Sequence, residues 1–205
     1  LTQFYREGRD VGLSVPVARA EAFKFIMENK TIHLGEGELI VGERGPSPRS
    51  TPTYPELCCH TLDDLKLMSE RDRTNFQVSE QVRAVYTNEI IPFWQGRTMR
   101  ETVFATMSQP WHDAFEAGVF TEFMEQRSPG HAILDDKIYR LGLLEMQAKI
   151  QDRRDRIDWQ NDLRAYDRDQ QLLGMKIACD AVMIFAQRHA DLAASLAENE
   201  NEPTR

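Results

Sequence analysis

Arg156 and Gln160 are the residues of this chain whose types and spacing best suit the holding of a small anion. Four residues apart on a helix, they would project together from one face. A guanidinium fork beside an amide N–H makes a good clamp for a carboxylate or a sulfonate. The plainer reading stays open beside it. Arg153-Arg154-x-Arg156 is a basic run of the kind that coats a solvated helix face, and Gln160 would then merely end a helix ahead of Asn161-Asp162.

Other constellations point to packing. Cys58-Cys59-His60 has the look of a metal corner, but a closed site takes four ligands and no second Cys/His cluster completes it. We read the two cysteines as a packed thiol pair and expect no metal. The five histidines His33, His60, His112, His131 and His189 contain no H-x-x-x-H pair. Gly35-x-Gly37 lacks the further glycine and the lysine of a phosphate loop, and no G-x-S-x-G elbow occurs. The pairs Asp63-Asp64 and Asp135-Asp136 are most simply helix caps favoured by the macrodipole.

Bulk properties narrow the partners. A formal net charge of −8 over 205 residues argues against nucleic acid, whose phosphates demand a basic face. Three cysteines give no disulfide framework, and the apolar runs fall short of the ~20 residues that span a bilayer. No signal peptide is legible. The expectation is a soluble cytoplasmic protein with neither a nucleic-acid nor a membrane partner. Leu1 at the start and a charged, polar tail at the end suggest a piece of something longer.

The elements that must position these residues are mostly helical. Residues 15–30 form an amphipathic helix with Pro16 in its first turn. Leu39-Ile40-Val41 suits one buried strand, with weak partner candidates at 31–34 and 132–134. It leads into a loop of four prolines and two glycines within residues 42–55, a density no helix tolerates. Thr61 with Asp64, and Thr98 with Glu101, open helices as capping boxes, the second running to Met107. Residues 79–94 form a helix with Val82, Val85, Tyr86, Ile90 and Phe93 on one stripe, kinked or ended by Pro92. A short helical piece follows at 111–117, closed by Gly118, and 127–131 is a turn. A helix runs from Ile138 to about Arg154, and a long one spans 164–197 with Leu173, Ile177, Ala181, Ile184 and Phe185 inward.

Several of these stretches together resemble the glycyl radical enzymes, the pyruvate formate-lyase-like family. They include Arg19-Ala-Glu-Ala-Phe-Lys-Phe-Ile-Met-Glu-Asn-Lys30, Gly37-Glu-Leu-Ile-Val-Gly-Glu-Arg-Gly-Pro46, Thr51-Pro-Thr-Tyr-Pro-Glu56 and Pro92-Phe-Trp-Gln-Gly-Arg97. Pro129-Gly-His131, Asp136-Lys-Ile-Tyr-Arg-Leu-Gly142, Ile177-Ala-Cys-Asp-Ala181 and Phe185-Ala-x-Arg-His189 add to the likeness, which runs nearly end to end. Within the family the chain looks most like the isethionate sulfite-lyase group, particularly in Phe123-Met-Glu-Gln-Arg-Ser-Pro-Gly-His131.

The resemblance implies a mostly α chain with a few strands, the N-terminal portion (1–205) of a ten-stranded α/β barrel wrapped in helices. It implies a glycyl radical near the C-terminus of the complete protein, installed by an S-adenosylmethionine-dependent activating enzyme, and a thiyl cysteine followed two residues on by glutamate. Cys58, Cys59 and Cys179 lack that glutamate, so no catalytic residue is expected in this chain and the piece alone should be inactive. In the sulfite-lyase group an arginine and a glutamine four residues later hold the sulfonate, and Arg156 and Gln160 fit that spacing. The expected activity is cleavage of the C–S bond of isethionate to acetaldehyde and sulfite. A diol or glycerol dehydratase, a choline lyase, an arylacetate decarboxylase and a silent helical scaffold are the alternatives. Small-molecule substrate, activating enzyme and a second copy are the expected partners, in the cytoplasm or a bacterial microcompartment.

Overall fold

The computed structural model describes residues 1–39, 41–42, 45, 47–120 and 136–198. Its helices are α1 (Thr2–Arg6), α2 (Val15–Asn29), α3 (Leu62–Glu70), α4 (Glu80–Val85), α5 (Ile91–Trp94), α6 (Met99–Phe104), α7 (Gln109–Glu116), α8 (Lys137–Arg140), α9 (Leu143–Asp155) and α10 (Ala165–Glu198), with a π turn at Tyr86–Ile90. They divide into two compact units. One is Leu1–Pro46 with Ala132–Arg205, the other Ser47–His131.

In the first unit α10 is the spine, with α2 and α9 against it. Helix α2 buries Val17, Ala18, Ala20 and Ala22, and α10 answers with Ile177 and Ala181. Val17, Ala20 and Ile177 form a shared core that Leu173 covers. Small side chains let the two backbones close up. At Gly174 a β-carbon would stand 2.9 Å from the Pro16 carbonyl oxygen, inside any real contact. Both ends of α2 are tied to α10. At the start, Ser14 Oγ donates to Gln170 Oε1 at 2.8 Å. At the finish, Arg188 donates to the carbonyls of Met27 (2.5 Å) and Lys30 (2.8 Å), satisfying acceptors that a helix end leaves bare. The pairings run start to start and end to end, so α2 and α10 lie parallel. Helix α9 is stitched to α10 by Gln147 Nε2, which donates to Lys176 O (3.1 Å) and Asp180 Oδ1 (2.6 Å).

The second unit is a series of short, well-capped helices. Thr61 and Asp64 exchange bonds at the start of α3, as do Thr98 and Glu101 at the start of α6. Glu101 also accepts from Gly96 N at 3.0 Å, and that N–H, with the Thr98 hydroxyl and the neighbouring amides, holds the carboxyl below its ordinary range. The proline loop is held at Thr53, which hydrogen-bonds the buried Tyr86 hydroxyl, and just past its end, where Glu56 O and Leu57 O accept from Met99 N and Arg100 N, both at 2.9 Å.

Several expectations are corrected. Among the described residues there is no strand, and Leu39 is 97% exposed. A lone strand cannot leave its donors and acceptors unpaired in a core, and neither 31–34 nor any other described segment supplies a ladder. Ile40, the 132–134 candidate and the 127–131 turn lie outside the described residues. The helix expected over 79–94 is interrupted by the π turn. Pro92 has no N–H to give and crowds the preceding carbonyls, and the ladder widens just ahead of it. Val82 and Val85 are exposed, and only Tyr86 of the expected stripe is buried. The helix expected from Ile138 is two, because Gly142 takes an extended conformation as the N-cap of α9. Helix α6 stops at Phe104, short of Met107. No described helix is long and apolar enough to cross a membrane.

Two measurements check this account. Gly174→Ala should lower the thermal midpoint of the complete protein, with a loss of about 1–3 kcal/mol from the forced backbone shift. An unchanged midpoint would contradict the close approach. Glu101 has a folded pKa below its unfolded value, so its stabilisation is present above the ordinary carboxylate range and fades as pH falls through the folded value. Glu101→Gln should therefore destabilise at neutral pH and show a flatter acid limb in a plot of midpoint against pH.

Candidate functional site

A cleft of about 1030 Å³ opens in the first unit where α9 ends and α10 begins; Ser14, Pro16, Arg156, Asp162, Arg164 and Gln170 are among its lining residues. Its shape follows from how the chain turns there. Helix α9 stops at Asp155, and Arg156, its C-cap, has φ −97° and ψ 7°. Ile157 N then reaches back to the Arg154 carbonyl at 3.2 Å. Next, Asp158 Oδ1 accepts from Gln160 N (3.1 Å) and Asn161 N (3.0 Å), and Oδ2 from Asn161 Nδ2 at 2.9 Å. An aspartate that caps its own following amides competes with helix, which is why the helix cannot continue. The Asn161 amide and those backbone N–H groups hold the Asp158 carboxyl below its usual range.

The structure therefore does not place Arg156 and Gln160 on one helical face, because the helix ends before both. Arg156 lines the cleft and Gln160 is not among the lining residues. The Arg156 guanidinium meets Asp152 Oδ1 at 2.7 Å, with three quarters of its side chain exposed. Arg168 pairs with Asp162 at 3.0 Å and Arg164 with Asp167 at 3.9 Å. Such exposed pairs contribute ~0–1 kcal/mol, so an arriving anion can exchange for the carboxylate. Arg154 differs. It donates to Asp169 Oδ1 at 2.9 Å with only 22% and 13% of the two side chains exposed, and it holds the Asp169 carboxyl below the ordinary range.

No feature of the sequence picked out Asp169, Gln170 or Ser14. Apart from the bond between the neighbours Asp169 and Gln170, their partners are fifteen or more residues away. The one usable signal was that Ser14 precedes Pro16 at a helix start and so should have capped it.

Two of the three thiols are held in their protonated form. Burial, then the nearby Glu101 charge, pushes the Cys59 thiol up, and burial, then Asp180, does the same for Cys179. Both thiols stay protonated at neutral pH, which disfavours a nucleophilic or ligating role. No cluster of candidate metal ligands exists among the described residues. His60, Thr61 and Ala181 stand two positions after the three cysteines, so none fits a radical-carrying Cys-x-Glu pattern.

Comparison with known proteins places this geometry. The pyruvate formate lyase-like family matches residues 1–205. The chain is 45% identical over 205 residues to trans-4-hydroxy-L-proline dehydratase of Clostridioides difficile, covering all of this chain and 26% of that protein. It is 28% identical over 204 residues to isethionate sulfite-lyase of Nitratidesulfovibrio vulgaris, covering 95% of this chain and 25% of that protein. The solved structure of the C. difficile hydroxyproline dehydratase with trans-4-hydroxy-L-proline bound superposes with a TM-score of 0.90 at 46% identity, over 99% of this chain and 26% of that one. The glycerol-bound B12-independent glycerol dehydratase of Clostridium butyricum gives 0.85 at 25% identity, over 99% and 26%. The chain thus spans about a quarter of the length of these relatives. The likeness to isethionate sulfite-lyases is real, and the hydroxyproline dehydratase is much more similar. The chain belongs to the pyruvate formate lyase-like family of glycyl radical enzymes.

Proposed function

We propose that this chain is the N-terminal region of a glycyl radical dehydratase that removes water from trans-4-hydroxy-L-proline. The observation that carries this reading is 45% identity maintained across all 205 residues, against 28% for the isethionate sulfite-lyase relative. A 0.90 TM-score at that identity supports the same backbone under largely similar packing. The apolar surface supports the view that more polypeptide covers this region: Leu39, Val15, Met175, Tyr139 and Leu144 all stand exposed. Isolated exposed apolar residues are ordinary, but so many large ones on so few helices are better suited to a larger barrel.

In this reading the radical-bearing residues lie in the remainder of the protein, an activating enzyme is the macromolecular partner, and the setting is cytoplasmic. Arg156 holds the anionic group of the substrate, with Gln160 supplying an amide N–H once ligand is bound. A guanidinium fork serves a carboxylate or a sulfonate alike, so Arg156 does not separate proline-type substrates from isethionate. Isethionate cleavage is the second reading, favoured by the Arg156–Gln160 spacing.

Anaerobic activation of the complete enzyme with its activating enzyme, followed by assay on both substrates, tests the choice. We expect a product one water lighter than hydroxyproline and no sulfite from isethionate; sulfite release as the main reaction would reverse the assignment. Arg156→Ala should lower kcat/KM about tenfold or more, since a charged hydrogen bond contributes ~1.5–3 kcal/mol. Unchanged kinetics would remove Arg156 from the site.

A further inference from the structure

We infer that Asp169 is a positioning residue for anion binding, acting through a chain of hydrogen bonds, Arg154–Asp169–Gln170–Ser14, that fixes the turn carrying Arg156. The inference rests on the clamp role proposed above for Arg156. Three segments wall the cleft: the end of α9, the start of α10 and the start of α2. The chain joins all three. Arg154 Nε donates to Asp169 Oδ1 at 2.9 Å, bridging α9 to α10. The other oxygen of Asp169 accepts from Gln170 Nε2 at 3.0 Å, and Gln170 Oε1 accepts from Ser14 Oγ at 2.8 Å.

Two details argue that this is more than surface decoration. The first is at Ser14. An N-cap serine ordinarily turns its hydroxyl to the second or third amide of its own helix, and here that cap bond is absent. The hydroxyl instead donates a hydrogen bond to Gln170 Oε1 on α10. A local stabilisation is forgone for a long-range tie.

The second is at Arg154. Its side chain is anchored on Asp169, while its main-chain carbonyl receives Ile157 N at 3.2 Å, closing the turn on which Arg156 stands. Fixing one residue therefore fixes the backbone that aims Arg156, two residues on. The Arg154–Asp169 pair is much less exposed than the Arg156–Asp152 pair, so water and salt loosen it less. The rigid pair sits behind, and the exchangeable pair faces the ligand. That division suits a site in which a mobile guanidinium would lose affinity to the entropy of being ordered.

The test is calorimetric binding of trans-4-hydroxy-L-proline to the complete, non-activated enzyme, with kcat of the activated enzyme measured in parallel. Asp169→Asn keeps the shape and removes the charge. It should weaken Kd by about 5- to 20-fold, near or below the low end of what one charge-assisted hydrogen bond carries because the effect is relayed through Arg156, with kcat within about twofold at saturation. In an Arg156→Ala background the same substitution should add nothing, because the residue it positions is gone. Ser14→Ala, a mild change at the far end of the chain, should weaken Kd in the same sense and keeps the test available if Asp169→Asn does not fold. A wild-type Kd in the folded Asp169→Asn protein, or in Ser14→Ala where that protein fails to fold, alongside a normal Arg156→Ala loss, overturns the positioning role alone. Losses that multiply independently overturn it too. A wild-type Kd in Arg156→Ala removes the clamp and, with it, the role assigned to Asp169.

Discussion

Where α10 passes α2, the absence of a side chain at Gly174 lets a helix backbone approach the Pro16 carbonyl closer than any β-carbon would permit. The rest of the first unit depends on that approach. Ala20 and Ala22 on α2 and Ala181 on α10 bury little area each, so they stabilise the pair through proximity and many short dispersion contacts. Proximity then decides what longer side chains can reach. Ser14 spans to Gln170 at one end and Arg188 to Met27 and Lys30 at the other, eighteen residues further along α10. Eighteen residues of helix rise about 27 Å, a little more than the length of α2. The two helices are registered along their whole common length, and neither can slide without breaking bonds at both ends.

That register explains how much of the fold could be read from sequence. Capping boxes at Thr61 and Thr98 were legible because every participant lies within four residues and the chemistry is local. Helix α2 and, of the inward set on α10, Ile177 and Ala181 were legible because burial at helical spacing leaves a repeating pattern, whereas Leu173, Ile184 and Phe185 are only half-buried. The break at Pro92 was foreseen, whereas its form as a π turn was not, since proline forbids one bond without dictating how the ladder adapts. The Leu39–Val41 strand was misread for a different reason. Apolar composition describes what a segment would bury, and pairing depends on a neighbour that composition cannot supply. Five-residue α1 left no pattern long enough to recognise.

The cleft was legible only in part, again for a physical reason. Arg156 was picked out by charge and by its neighbours, and it does line the cleft. Pairing it with Gln160 assumed a helix that stops at Asp155, and Asp158 keeps the chain from resuming one by accepting from the amides of Gln160 and Asn161. Asp158-x-x-Asn161 is the sequence signature of that turn, and weighing it against helix periodicity would have moved Gln160 off the face. Asp169 could not have been found this way. Its relation to Arg154 and Ser14 exists only once three helices have assembled.

A chain with eight more negative than positive charges is an odd host for an anion, and the pairing pattern resolves the oddity. Around the cleft each of Arg154, Arg156, Arg164 and Arg168 has a carboxylate of its own, so the long-range field is mild and does not gather anions from afar. Selectivity must then come from contact. On the proposed reading of Arg156 as a clamp, an arriving carboxylate has to outcompete Asp152 for a guanidinium that is already in place, which favours a ligand held by further groups at the same moment. On the proposed reading Gln160 is one such group, and it stands apart from the cleft lining until a ligand draws it in. On that reading the site binds weakly until its further groups engage, and that keeps the exposed arginines from trapping anions in the wrong context.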